Sequence, residues 1–203
     1  MTPALLLLAV SLSVPGGPNG LVPVDLNADR RPDLVISTRD ELVALLATGP
    51  SQFRESARLK LPRPAGEIAA ADFNRDGHLD IAVADHDTFA IVIVHGNGRG
   101  ALTLGPTFRA KPTGQPHIHG LAAGDLNGDG HPDLVLGSGA EHELIPLLND
   151  GQGRFTPQPS ARARSPWHPF LADFNHDGGL DLAAAAMDGK TIATLLGNGR
   201  GGF

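Results

Sequence analysis

Asp72-Phe73-Asn74-Arg75-Asp76-Gly77-His78-Leu79-Asp80 is one of four copies of the pattern Asp-x-Asn-x-Asp-x-x-x-Asp, the others starting at Asp25, Asp125 and Asp173. Gly77, Gly130 and Gly178 hold the sixth place in three copies, and Arg30 holds it in the first. The residue types select a hard cation. Calcium takes roughly six to eight oxygen ligands, and a tight loop brings side chains at alternate positions onto one centre while a backbone carbonyl fills a gap. The candidate ligands are Asp25, Asn27, Asp29 and Asp33 in the first loop, and Asp72, Asn74, Asp76, the carbonyl of His78 and Asp80 in the second. In the third and fourth they are Asp125, Asn127, Asp129, the carbonyl of His131 and Asp133, then Asp173, Asn175, Asp177, the carbonyl of Gly179 and Asp181. Glycine at the sixth place suits a sharp reversal with positive φ, which costs a residue with a Cβ about 1–2 kcal/mol. A weaker or empty first site is therefore expected, and three to four Ca²⁺ per chain.

Plain Asx-turns without metal explain a single such loop. They explain four less well, because three carboxylates a few ångströms apart repel unless a cation sits among them. The pattern is not an EF-hand, which needs a glutamate at the twelfth place; Ile36, Val83, Leu136 and Ala184 stand there. Each loop leads into a short apolar run, Leu34-Val35-Ile36, Ile81-Ala82-Val83, Leu134-Val135-Leu136 or Leu182-Ala183-Ala184, and these read as strands.

The loop starts are 47, 53 and 48 residues apart, a spacing in the range of propeller blades. Each period repeats one order of elements. Small and apolar residues precede the loop, as in Ile68-Ala69-Ala70-Ala71, Leu121-Ala122-Ala123-Gly124 and Phe170-Leu171-Ala172. After the loop strand comes a polar turn such as Asp188-Gly189, then a third strand over Leu42 to Leu46, Ile91 to Val94, Leu144 to Leu148 and Ile192 to Leu196. Three of these run into a glycine turn, Gly96-Asn97-Gly98-Arg99-Gly100 being one, which reads as a hairpin. A poorer outer strand contains Arg58-Leu59-Lys60-Leu61, Phe108-Arg109-Ala110 or Ala161-Arg162-Ala163. Four antiparallel strands per period define an all-β propeller.

The loop motif together with Leu195-Leu196-Gly197-Asn198-Gly199-Arg200-Gly201-Gly202-Phe203 resembles the FG-GAP, or VCBS, repeats of integrin α-subunit propellers and of many bacterial secreted or surface proteins. The resemblance runs from about Leu21 to the end. It implies a β-propeller with calcium in the loop between the first and second strands of each blade, used for binding or adhesion. Blades are expected over about 18–62, 63–113, 114–164 and 165–203, the last without its outer strand. Propellers of this family usually have seven blades, so the four repeats are either part of a larger ring or a ring closed by an N-terminal strand over Leu5 to Val14. An open end would favour self-association.

Of 22 acidic residues, 12 are the loop aspartates, so the net charge of −6 largely reflects the proposed metal sites. The basic residues are scattered, which argues against nucleic acid as partner. No cysteine is present, so disulfides and thiolate metal sites are excluded. Residues 1–17 contain an apolar stretch from Ala4 to Val14 that suits a signal peptide or a closing strand and is too short for a transmembrane segment. Secretion, a cell surface or the periplasm is expected. Gly197 to Gly202 matches G-x-G-x-x-G but has no helix after it, so a dinucleotide site is not expected. No nucleophile elbow or zincin helix is present, and the ordered acids are committed to metal, so the chain is not expected to be an enzyme. His117 and His119 would share a strand face as a zinc pair, but no third ligand is evident. Trp167-His168 precedes the innermost strand of the last repeat and suits either inter-blade packing or a sugar pocket. The partner is an unidentified protein or, as the alternative, a glycan; a third reading is a scaffold domain of a secreted enzyme.

Overall fold

The computed structural model describes residues 13–203. The described residues form strands and turns and no helix. The first sheet runs β1 (Gly20–Val24), β2 (Asp33–Ser37), β3 (Glu41–Gly49) and β4 (Gln52–Lys60). The second runs β5 (Ile68–Ala71), β6 (Asp80–Ala84), β7 (Ala90–Gly96) and β8 (Leu102–Arg109). The third has β9 (Ile118–Gly124), β10 (Asp133–Ser138) and β11 (Glu143–Asn149), with an outer edge split into β12 (Phe155–Pro157) and β13 (Ala161–Arg162). The fourth has β14 (Pro166–Ala172), β15 (Asp181–Ala186) and β16 (Ile192–Leu195). All neighbours are antiparallel, and the sheets stack as four propeller blades whose innermost strands follow one another as β1, β5, β9 and β14.

The two-residue period of a strand explains why these blades stack. Counting from the last loop aspartate, the first and third residues of the second strand face the preceding blade, and the second and fourth face the following one. Thus Ile81 and Val83 join Val35, Leu42 and Leu46 in one core, while Ala82 and Ala84 join Leu134 and Leu136 in the next. Val135 and Leu144 meet Leu182 and Ala184 in a third. Both faces of the second strand are covered, so it reads as an unbroken apolar run rather than an alternating one. In blade four the outward face has no following blade over it among the described residues, and Phe170 and Ile192 are 62% and 72% exposed.

Sequence underestimates the outer strands. β4 and β8 begin well before the residues expected for them, because edge strands carry exposed polar side chains with little pattern to read. In blade three that strand is broken around Pro159, which has no N–H to offer the ladder. The leader expected over residues 1–17 and the strand expected over Leu5 to Val14 lie mostly outside the described residues. Val14 itself packs on Ile36, Val43 and Leu45, on the blade-one face turned away from blade two.

Candidate metal centres in the loops

Each Asp loop leaves the inner strand and returns as the second strand, and its own side chains fold it. In the third loop Asp125 accepts from the N–H groups of Gly128, Asp129 and Gly130 at 2.8–3.2 Å. Asn127 Oδ1 accepts from Asp129 N–H, and Asn127 Nδ2 donates to Asp129 Oδ2 at 2.8 Å. The other loops repeat the bonds from the fifth and sixth N–H groups to the first aspartate. The first, third and fifth side chains are thereby drawn together as oxygen donors. Gly77, Gly130 and Gly178 have φ of +83°, +81° and +90° as the reversal requires. The fourth place is left-handed too, with Ala28, Arg75, Gly128 and His176 at φ +58°, +61°, +76° and +62°, which the sequence alone does not announce.

Arg30 adopts φ +66°, so the first loop keeps the shape of the others at a conformational cost. Arg30→Gly should raise stability by about 0.5–1 kcal/mol, the relief of strain being partly offset by the freer unfolded chain. A urea midpoint lower than that of the parent would show that Arg30 is not strained.

The ninth-place aspartates do more than their place in the motif implies. Asp33, Asp80, Asp133 and Asp181 are all 0% exposed. One oxygen of each accepts from the second loop residue, Leu26, Phe73, Leu126 or Phe174. The other accepts from an N–H at or within two residues of the end of the third strand, that of Ala47, Gly96, Asn149 or Gly197. Each carboxylate therefore staples its loop to the third strand. Burial pushes the Asp133 carboxyl up to about 6; the N–H groups of Asn149 and Leu126 work against that, and the charges of Asp129 and Asp125 add to it. The Asp177 carboxyl is held low by the Gly179 N–H and by Asn175. The donor set of carboxylates, amide oxygens and a carbonyl fits calcium in chemistry. The ninth aspartate would have to contribute through a lone pair that its backbone bonds leave free.

The loops also hold the blades together. At the second place Leu26, Phe73 and Leu126 insert into the core shared with the next blade. The backbone carbonyl of each accepts a hydrogen bond from the next blade's glycine turn. Gly100 N–H donates to Leu26 at 3.3 Å, Asn149 Nδ2 to Phe73 at 2.9 Å and Gly201 N–H to Leu126 at 3.1 Å. The glycine turns, expected only as hairpins, are thus the other half of an inter-blade lock. Gly100 and Gly201 sit at φ +84° and +86°, and a Cβ on either would press into Leu46 or Leu148.

Stacked antiparallel blades, with an Asp loop after each innermost strand, define the class: a β-propeller repeat array. The profile of the FG-GAP-like repeat matches residues 25–83, 72–136 and 125–184, and the chain belongs to that family. Among solved structures it is similar to BBS1N in complex with ARL6DN, at 17% identity and a TM-score of 0.61 over 92% of this chain and 58% of that one. It is also similar to an Agrocybe aegerita lectin that recognises non-reducing terminal N-acetylglucosamine, at 20% identity and 0.57 over 89% and 49%. A Lactobacillus plantarum protein matches at 15% identity and 0.57 over 89% and 55%. The chain spans about half the length of these structures. No curated protein sequence matches.

Proposed function

We propose that the chain is a non-catalytic, extracytoplasmic binding module whose Asp loops hold Ca²⁺, with a protein or surface ligand as partner. The observation that carries this reading is the double use of each loop. In the first three loops the residue lying between the first two candidate ligands, Leu26, Phe73 or Leu126, is the one that plugs the next blade and accepts its turn. A bound cation would offset the mutual repulsion of the loop carboxylates. The loop residues would then hold the seam more firmly, leaving a rigid platform for recognition. Sites of this kind fill at the millimolar calcium found outside cells, and the apolar stretch from Ala4 to Val14 suits export. Among the described residues no helix is long and apolar enough to cross a membrane.

Calcium at about a hundredfold over Kd should add roughly 2.7 kcal/mol per site if the unfolded chain does not bind it. Stripping the protein with EDTA should lower its Tm, and calorimetric titration should return three or four sites. An unchanged Tm with no heat of binding would reduce the loops to plain turns. The second reading is a glycan ligand, suggested by Trp167 beside His119, ring centroids 5.3 Å apart, and by the likeness to the Agrocybe aegerita lectin. A glycan array without hits would set it aside.

A further inference from the structure

We propose that His86, His117 and His119 form a binding site for a divalent transition-metal ion of the zinc class at the seam between the second and third blades. Their ligand nitrogens all lie within 4.8 Å of one another, the one such group of three among the described residues. The Nε2 atoms of His117 and His119 are 3.1 Å apart. Two imidazoles on one tetrahedral zinc, each bonded at about 2.0–2.1 Å, hold their nitrogens roughly 3.4 Å apart. The pair is therefore already near chelating distance, and a small approach of His86 completes three ligands.

The third ligand is oriented for the task. His86 Nδ1 lies 2.7 Å from Asp87 Oδ1. A carboxylate that accepts a hydrogen bond from Nδ1–H leaves the Nε2 lone pair free and fixes the ring, the usual outer support of a metal-bound histidine. The backbone is held as well. Ile118 N–H donates to the His86 carbonyl at 3.0 Å, and Gly139 N–H donates to the His117 carbonyl at 2.9 Å. Trp167 lies against His119, their ring centroids 5.3 Å apart.

The repeat itself does not require these residues. Six places after the ninth-place aspartate, where the second blade has His86, the other blades have Arg39, Gly139 and Met187. Six places before the first aspartate, where the third blade has His119, the others have Asn19, Gly66 and Trp167. The site lies at the opposite end of the innermost strands from the Asp loops. Its ligand chemistry also differs, since imidazole suits zinc, copper and nickel whereas calcium takes oxygen. Three protein ligands leave a fourth position open.

The test is calorimetric titration of the chelator-stripped full chain with ZnCl₂ in excess calcium, so that the Asp loops are saturated. One equivalent should bind, and Co²⁺ at the same site should show the visible bands of tetrahedral nitrogen coordination. His86→Gln and the double variant His117→Ala/His119→Ala should each lose at least a hundredfold in affinity. Asp87→Asn, which leaves all three ligands in place, should lose about tenfold, and His176→Asn should lose nothing. The site is overturned if the parent binds no zinc, or if zinc binding survives His86→Gln undiminished. The seam is structurally sensitive, so each variant is first checked for parental strand content. His86→Gln and Asp87→Asn alter a turn and decide the matter even if the double variant fails to fold. Because calcium is present throughout, failure here leaves the reading of the Asp loops standing.

Discussion

Phe73→Ala should destabilise the protein by about 3–5 kcal/mol, the range for emptying a buried aromatic site, and lower Tm by roughly 10 °C for a chain of this length. Phe73 is 0% exposed. Its ring meets Phe155 of the third blade edge-on at 5.5 Å, and Phe155 in turn stacks on Phe108 of the second at 4.9 Å. Removing Phe73 leaves Phe155 without that partner and opens the seam under the loop. The chain contains its own control. Phe174 holds the same place in the fourth loop but is 48% exposed, there being no following blade over it among the described residues. Phe174→Ala should therefore cost less than about 1 kcal/mol, as for a surface change. Similar losses at the two positions, read as shifts in the urea midpoint, would refute the view that the second loop residue acts through the next blade.

Replacing Asp133 by alanine is the other large change. Its carboxylate accepts from Leu126 N–H and from Asn149 N–H, both at 2.8 Å, with no exposure to water. Two buried N–H groups would lose their partner, at about 1–3 kcal/mol each. We expect a total of roughly 2–5 kcal/mol, measured in calcium-free buffer so that no cation contributes. Asp133→Asn retains one carbonyl oxygen as acceptor and should fall between parent and alanine variant. Asp129→Ala removes a carboxylate of the same loop that is largely exposed, and should change calcium-free stability much less. If Asp129→Ala and Asp133→Ala were equally damaging without calcium, the ninth aspartate would have no special stapling role.

Much of the fold was legible because it is written repeatedly. One apolar run after an Asp loop is ambiguous, whereas four at a near-constant spacing fix the strand order, and the glycines at the sixth place announce the reversal that Gly77, Gly130 and Gly178 make. Repetition also hid things. Asp80 and its counterparts looked like one more ligand in an oxygen series, because sequence spacing shows which side chains are near and not which N–H groups they meet. The left-handed backbone at Arg75 and His176 carries no glycine to mark it. His86 is not legible in the sequence as a partner of His117, because it lies on another blade and only the packing of the hairpin after β6 against the start of β9 unites them. The polar outer strands gave no period strong enough to place their beginnings.

The lock between blades has a direction. Loop residues of one blade touch the glycine turn of the following blade through Leu26, Phe73 or Leu126, so each loop is coupled to the blade that follows it in the chain. In amide hydrogen exchange, loosening the second loop should speed exchange at Gly151 and Gly153 of the third blade, whose N–H groups bond the Asn149 side chain, as well as at Gly96 of its own blade, which Asp80 staples. The propeller would then open as a polarised row of neighbours, each propped by the one before it, with local protection rather than global melting as its readout.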